Sequence, residues 1–582
     1  MSTSFTDRPT AIVLDDEREQ ASQRLARRAV RGGAVLVATR LLVQVMAWGV
    51  TFAVARLLTP YDYGIMSIGV VFICLADMLA EAGVGRALIQ KAELTREDLA
   101  AAFTINLLLA TALYGLLFGT AGMAARYLEM PALETMLPIL GLMVLMGPFR
   151  AVAFALLDRD LRMERQAAIH VFFTAFQATI VLSLAFLGYG YWSLVLGAIV
   201  GRVFEVFGLY FATRWTPRIT LTPWRHREIL HFGMNVSFSS ILLFFYNNSL
   251  FVIVGKVVGP VTLGYFSLAF QIVSLPMQKL TINTNQVVYP VFCRLRDDRA
   301  KLRNWYLRLS VLLGFLGIPT LVGMAVVAPE AFGLILGEKW LPAVLSFRLL
   351  AVVGVFMIYA ASLPPLFDSV GRPDITLRYS AACALLFPVA SYIGAIDGGL
   401  IDGYMGLLAE SFPALHSFLV PLVAQIGPDQ GPLVGVCLAW LVLYPLVIVG
   451  LIALTRGVTG IGVLDLAMPQ WPVVLAAGCM LAVLYNLRSA IPALSSATHD
   501  AAEVQGRLVL RLVLSVLTGA SVYAGVVLLV GRDRVLADVR ALVREVRNKT
   551  PETTLNEPEA LATDGFTVSV ANASGSSLRT TP

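Results

Sequence analysis

Apolar segments of about 20 residues, separated by short polar stretches, recur along this chain. Each is long enough to cross the hydrocarbon core of a bilayer as an α-helix. We therefore predict an all-α membrane protein with about 14 transmembrane helices. The predicted spans are residues 33–58, 64–85, 99–125, 135–157, 167–188, 192–213, 229–255, 263–290, 305–328, 341–367, 377–396, 432–454, 471–490 and 508–531.

Two copies of one motif, 200 residues apart, indicate an internal repeat. Residues 56–67 read RLLTPYDYGIMS, and residues 256–267 read KVVGPVTLGYFS. A base, a proline, a glycine and a serine occupy equivalent positions, and Gly33 matches Gly233 at the same offset. Six predicted spans separate the copies, so both have the same orientation. We therefore expect two six-helix lobes, related by an axis along the membrane normal, followed by two extra helices.

The composition agrees with a membrane protein, since 57% of the 582 residues are hydrophobic, 14% are charged and the mean hydropathy is +0.76. Lys and Arg predict the orientation. With the N-terminus in the cytoplasm, six inner loops hold 17 bases and seven outer loops hold four, so we expect both termini in the cytoplasm. The net charge of +6 reflects anchoring to the inner leaflet, because no basic, aromatic-interleaved soluble segment offers a nucleic-acid surface.

These patterns divide the chain into six regions. They are a cytoplasmic basic tail (1–31), an N-terminal six-helix lobe (32–213), a cytoplasmic linker (214–228), a C-terminal six-helix lobe (229–454), two extra transmembrane helices (455–531), and a cytoplasmic basic helix with a disordered tail (532–582). The C-terminal lobe includes an apolar insertion at 397–431. We expect this insertion at the outer face, because a fifteenth span would move the basic C-terminal tail outside.

Polar side chains inside the spans indicate function, because each costs free energy in hydrocarbon unless it faces protein or water. In spans two and eight they recur every three or four residues and form one helix face. We expect such faces to line a central, substrate-binding cavity. Its candidate residues are Arg40, Gln44, Asp77, Glu81, Asn235, Asn247, Asn248, Gln271, Gln278, Lys279, Asn283 and Arg348.

Helix–helix hydrogen bonding is the alternative explanation for any single polar residue in a span. Arg202 and Glu205, three residues apart, are expected to pair with each other. Arg150 lies near an inner boundary and is expected to extend towards the interface. In the outer loop 329–340, we expect Trp340 at headgroup level.

No nucleotide-binding loop, catalytic triad or metal-ligand pattern stands out in the sequence. The five cysteines lie in or beside spans without a CxxC motif, so we interpret them as apolar fillers. Asp158 and Asp160 form a carboxylate pair of the kind that membrane glycosyltransferases use, but the bases around them indicate an ordinary charged loop. We therefore expect a protein without cofactor or metal that is not an enzyme.

Several segments between residues 30 and 490 are typical of one family. They read LLTPYDYG, EAGVGRALIQKAELTREDL, LLDRDLRMER, VVGPVTLGYFSLAF, VVYPVFCRLRDD and ILGEKWLP. The chain thereby resembles the polysaccharide transporter branch of the multidrug/oligosaccharidyl-lipid/polysaccharide exporter superfamily. The resemblance implies a flippase of the bacterial inner membrane with a central cavity that alternates between faces. It implies cargo linked to undecaprenyl diphosphate, with membrane lipids, a polysaccharide polymerase and export machinery as partners. One departure is that residues 247–255 lack the acid that many relatives carry in span seven.

Three functions stay open at this point. A flippase for lipid-linked oligosaccharide, serving lipopolysaccharide or exopolysaccharide biosynthesis, would use Arg40, Lys279 and Arg348 in one cavity to bind the carrier's diphosphate. A multidrug or cation antiporter of the same superfamily needs acids in its site, and these bases argue against it. A membrane polysaccharide polymerase needs a large outer loop, for which 397–431 is the candidate.

Overall fold

A computed structural model describes residues 48–81, 94–159, 163–220, 227–396, 431–491 and 501–530, with a few single residues between 84 and 91. Arg40, Gln44, the two polar tails and almost all of the insertion at 397–431 lie outside these residues. For Asn235 and Asn283 only the helical backbone is described.

The described residues fold into long helices and contain no strand. In chain order the long helices are α1 (Trp48–Leu57), α2 (Pro60–Glu81), α3 (Arg96–Leu128), α4 (Ala132–Arg159), α5 (Met163–Phe186), α6 (Tyr191–Thr213), α7 (Arg227–Val258), α8 (Pro260–Leu295), α9 (Arg299–Ala331), α10 (Ala343–Ser369), α11 (Pro373–Ile396), α12 (Gly431–Thr459), α13 (Trp471–Ala490) and α14 (Ala501–Val530).

The all-α membrane fold predicted from the sequence is confirmed. Twelve helices in the described part of the chain are long and apolar enough to cross a membrane, and each overlaps one predicted span. The other two predicted spans, 33–58 and 229–255, are represented by the shorter apolar helices Trp48–Leu57 and Phe244–Val258. The total of 14 spans stays a prediction for that reason.

The same helix pairs pack together in both lobes, as a repeat requires. In the N-terminal lobe α2 packs on α4, α3 on α4, α4 on α6 and α5 on α6. In the C-terminal lobe the equivalent pairs are α8 with α10, α9 with α10, α10 with α12 and α11 with α12. Each helix of the N-terminal lobe therefore corresponds to the helix six places later in the chain, as α2 does to α8.

The repeated motif supplies the start of α2 and of α8, and there the lobes meet. Proline occupies the first turn of each helix, where its missing N–H costs no hydrogen bond. A Cβ atom at Gly64 would lie 1.8 Å from the carbonyl oxygen of Pro260, and one at Gly264 would lie 1.8 Å from that of Pro60. The glycine of each motif therefore packs against the proline of the other motif, as expected for two lobes related by a two-fold axis.

A second set of contacts surrounds this closure. Nη1 of Arg56 donates to the carbonyl of Leu334 at 2.9 Å, and Nζ of Lys339 donates to the carbonyl of Arg56 at 2.7 Å. Nε1 of Trp340 donates to the carbonyl of Ala55 at 2.8 Å. We call these contacts of α1 with residues 334–340 the clasp. They tie the first lobe to the turn after α9.

The level of Trp340 in the membrane stays a prediction. The structure shows this residue fully buried, and its ring makes edge contacts with Tyr63 and Tyr265, one from each lobe. The reason is that the indole finds a backbone acceptor and two aromatic partners at the lobe interface, which satisfies both its N–H and its apolar surface.

The last two helices, α13 and α14, pack on each other and on α9. A separate apolar cluster forms there, including Val311, Val473 and Tyr523. The hydroxyl of Tyr523 donates to the carbonyl of Phe315 at 2.9 Å. This pair of helices therefore extends the C-terminal lobe on one side.

Candidate functional site

Ion pairs and a histidine–glutamate hydrogen bond connect four helices inside the N-terminal lobe. Asp77 of α2 accepts a hydrogen bond of 2.9 Å from Nη2 of Arg202 on α6. Glu205, one turn further along α6, lies 3.6 Å from Arg150 of α4 and 3.3 Å from His170 of α5. The side chains of Asp77 and Arg202 are 24% and 16% exposed, so both charges are largely removed from solvent.

This arrangement corrects two expectations from the sequence. Arg202 bonds to Asp77 instead of its neighbour Glu205. Arg150 does not extend to the interface but approaches Glu205, with its guanidinium also near the ring of Phe154. The helices α2, α4 and α6 pack against one another, and this packing brings partners together that are far apart in the chain.

A small cavity of about 30 Å³ adjoins these ion pairs. Its lining residues are Asp77, Ala80, Glu81, Asn106, Gly147, Pro148, Arg150, Ala151 and Arg202. Asn106 of α3 is 1% exposed, and neither atom of its amide has a hydrogen-bond partner among the described residues. Oδ1 of Asp77, Nε of Arg150 and Nη1 of Arg202 are also buried without such a partner.

Buried polar atoms without partners cost about 1–3 kcal/mol each, so this cavity is suited to something polar. An amide, a carboxylate and two guanidinium groups offer both donors and acceptors. At this size the cavity holds about two water molecules or a single hydroxyl group. Asp77 and Glu81 line this cavity, and their place in the predicted central cavity stays a prediction.

The helix α8 exposes one polar face beyond the closure at Gly264. Gln271, Gln278 and Lys279 are exposed, whereas Val273 and Met277 between them are buried. In the described part of the chain no acidic side chain pairs with Lys279. A base and two amides therefore stay available to a ligand on this face.

The helix α2 exposes the equivalent face. Cys74 and Glu81 are exposed, whereas Ile73, Ala76 and Ala80 are buried. Because α2 and α8 are equivalent helices that pack together at their starts, these exposed faces flank the same axis. A central cavity between these two faces stays a prediction.

The remaining predicted residues lie on α7 and α10. Asn247 is exposed, while Asn248 is half-buried and donates to the carbonyl of Phe244 at 3.0 Å, a bond within its own helix. Arg348 donates from Nε to the carbonyl of Ala325 at 3.1 Å, and its charged neighbours are Glu330 and Arg488. Arg348 thus lies at the junction with α13, while Lys279 lies on the exposed face of α8.

Sequence reasoning missed Asn106, and it did not assign Arg150, Arg202, His170 or Glu205 to a site. The signal for the charged residues was present, because ionisable groups inside spans are costly unless they are paired. A lone asparagine between apolar residues of span three gave no comparable signal, since amides often serve helix packing.

A family model described as "Polysaccharide biosynthesis protein" matches residues 53–345, half of the chain. The chain belongs to this family. The matched part includes the repeated motif, the N-terminal cavity, the polar face of α8 and the clasp.

Two relatives and one solved structure agree with this assignment. The chain is 25% identical over 383 residues to the lipopolysaccharide biosynthesis protein WzxC of Escherichia coli strain K12, a match covering 64% of this chain and 76% of that protein. It is 26% identical over 354 residues to the succinoglycan biosynthesis transport protein ExoT of Rhizobium meliloti, covering 61% and 72%. A structure of the lipid II flippase MurJ in an inward closed conformation gives a TM-score of 0.63 over 85% of this chain and 99% of that chain, at 15% identity.

These findings confirm the resemblance seen in the sequence. The chain is a polysaccharide transporter of the multidrug/oligosaccharidyl-lipid/polysaccharide exporter superfamily and a multi-pass membrane protein. At 15% identity, the likeness to the MurJ structure concerns the fold alone.

Proposed function

We propose that this chain carries a lipid-linked oligosaccharide unit across the bacterial inner membrane, by alternating access, for surface polysaccharide biosynthesis. The family and the names of its relatives support a transporter in such a pathway, and the fold is shared with a flippase. The observation that carries the proposal is the pair of exposed faces on α2 and α8, which begin where the reciprocal glycine closure ends.

The lipid carrier in this proposal is undecaprenyl diphosphate. A diphosphate is anionic, and moving it through hydrocarbon alone is prohibitive. Lys279, exposed and without an acidic partner among the described residues, would offset part of that cost. Arg40 belongs to the same proposal by its place in the sequence. Gln271 and Gln278 would bind sugar hydroxyls through their amides.

The mixed cavity of the N-terminal lobe would contribute further hydroxyl-binding groups through Asp77, Glu81 and Asn106. Gln44, Asn235 and Asn283 belong to the same proposal by their place in the sequence. Polar groups on both lobes suit a head group that must be held while the lobes rock about their shared axis.

The orientation is part of the proposal. With the N-terminus in the cytoplasm, the clasp and the glycine closure lie at the outer face, and the exposed faces open towards the cytoplasm. Reporter fusions test it. A fusion after residue 425 should be active outside the membrane and one after residue 560 inside. An outside signal at 560 would contradict this topology.

Glycan analysis of a deletion strain tests the function. Loss of the gene should abolish the surface polymer, with single lipid-linked units accumulating at the cytoplasmic side. Units accumulating at the outer side would instead indicate a polymerase. Normal polymer with lost resistance to cationic drugs would indicate an antiporter.

Complementation tests the residues. Lys279→Ala should restore little polymer at normal membrane abundance, as should Arg40→Ala. Lys301→Ala is the matched control, because Lys301 is exposed and pairs with Asp298 at the start of α9. Wild-type export by both inserted Ala variants would disprove binding of the diphosphate by these bases.

A further inference from the structure

Two arginines pair with one glutamate, and a third arginine lies nearby, where α13 and α14 join the C-terminal lobe. Glu330 of α9 is 3% exposed, and its Oε1 lies 2.8 Å from Nη2 of Arg488 on α13 and 3.1 Å from Nη2 of Arg511 on α14. Arg348 of α10 interacts electrostatically with Glu330 and Arg488, while its hydrogen bond goes to the carbonyl of Ala325. With three bases and one acid, these four described side chains have a net charge of +2. We call them the arginine cluster.

The arginine cluster has donors that the described residues do not fill. Arg511 is 7% exposed, and its Nε is buried without a hydrogen-bond partner. Arg348 uses its Nε on the carbonyl of Ala325, while its terminal Nη groups have no acceptor in the described part of the chain. Charged groups removed from water are costly unless they are paired, so the cluster needs an anion beyond Glu330.

The cluster lies near the helix ends at the clasp side of the bundle. Glu330 is six residues before the end of the apolar span Arg299–Leu336, and Arg488 is two residues before the end of α13. Leu334, which binds Arg56 in the clasp, follows Glu330 by four residues. Helix ends mark the headgroup level of a membrane, where lipid phosphates are found.

We propose that the arginine cluster binds the phosphate of a membrane lipid in the leaflet on the clasp side. The fork of a guanidinium matches two phosphate oxygens, which suits the open Nη groups of Arg348. Next to Arg511, α14 exposes the apolar residues Leu510, Val513 and Leu517, one helix face on which acyl chains can lie. The site joins a polar head group to an apolar surface.

Two lipids carry this chemistry: an anionic phospholipid, and the phosphate-linked carrier of the transported unit. For the carrier, the inference rests on the proposed function, whereas for the phospholipid it does not. In either case the site is lateral, between the lobe and α13–α14, and differs from the faces of α2 and α8.

Native mass spectrometry of the purified full-length protein tests the proposal with four probes: phosphatidylglycerol, undecaprenyl phosphate, a phosphate-free glycolipid and inorganic phosphate. Both phosphate lipids should be retained over the glycolipid.

Arg348→Gln should weaken the binding of both phosphate lipids about tenfold, because one charge-assisted hydrogen bond contributes about 1.5 kcal/mol. Glu330→Gln should strengthen it, because the net charge rises. Arg372→Gln, at an exposed pair with Asp374, is the control and should change nothing.

The outcomes distinguish an anionic phospholipid from the phosphate-linked carrier as the bound lipid. Tighter binding of undecaprenyl phosphate than of phosphatidylglycerol assigns the site to the carrier, and equal binding assigns it to lipid phosphate in general. Folded Arg348→Gln protein that binds phosphate lipids as the wild type does would overturn the proposal. So would weaker binding by Glu330→Gln, glycolipid retention equal to that of phosphatidylglycerol, or binding of inorganic phosphate alone. If Arg348→Gln fails to fold, the lipid comparison on the wild type still decides. Polymer export is not measured, so a failure here leaves the proposed function standing.

Discussion

The carbonyl oxygen of Pro260 occupies the space that a Cβ atom at Gly64 would need, only 1.8 Å from that position. The same relation holds between Pro60 and Gly264. Only a residue without a side chain allows two helix starts to approach this closely. The repeated glycine is therefore a condition for closing this end of the transporter.

Gly64→Ala should prevent this closure, since the contact is with backbone that cannot rotate away. A cysteine placed at the buried Ser267 should then react several times faster with a maleimide that does not cross membranes. Gly119→Ala is the matched control, because nothing lies within 4 Å of a Cβ there and alanine favours the helix. Unchanged labelling in Gly64→Ala would mean that the two helix starts do not close this end.

Trp340→Phe should weaken the clasp, because the indole N–H no longer meets the carbonyl of Ala55. One lost hydrogen bond of about 1 kcal/mol corresponds to about a fivefold change in the closed population. Distances between spin labels on the two lobes would measure that population. Trp471→Phe, at a tryptophan that is 44% exposed, should leave it as in the wild type.

The pair of Asp77 and Arg202 should behave as a coupled unit. Either Asp77→Asn or Arg202→Gln alone leaves a buried charge and should lower the free energy of unfolding by about 3 kcal/mol. The double variant removes both charges and should lose less than the sum of the two. Thermal unfolding of purified protein completes the double-mutant cycle. Additive losses would show that the two charges are not coupled.

Acid should release a contact between the lobes at Glu129. This carboxylate accepts a hydrogen bond of 2.8 Å from Nζ of Lys256, and that bond lowers the pKa of Glu129 below its ordinary value. A lowered carboxylate pKa gives stability that is present above the unfolded-state pKa and lost as the pH falls through the folded one. The unfolding temperature of Glu129→Gln should therefore lie slightly below the wild type at pH 7, and the two should converge in acid. A constant difference would exclude Glu129 as the titrating group.

The sequence was sufficient for the helices and the repeat. Spans follow from runs of apolar residues, which are local, and the motif at Pro60 and Pro260 begins equivalent helices as predicted. The burial of Trp340 could not be predicted, because the preference of tryptophan for headgroups does not specify its protein neighbours. Its burial depends on Tyr63 and Tyr265, which come from distant parts of the chain.

The candidate site was only partly accessible to sequence reasoning. The polar face of α8 could be predicted because helical spacing places Gln271 and Gln278 on one side. The ion-pair partner of Arg202 could not be predicted. Arg202 reaches Asp77, 125 residues away in the chain, only after α2 and α6 have packed. The hydrogen bond of Arg348 to the carbonyl of Ala325 has the same origin, since the sequence grouped Arg348 with Lys279 by charge alone.

The seal between Gly64 and Pro260 is built from backbone atoms and bears no formal charge. Its strength should therefore be indifferent to the ionic strength of the medium, whereas the exposed pair of Lys256 and Glu129 is screened by salt.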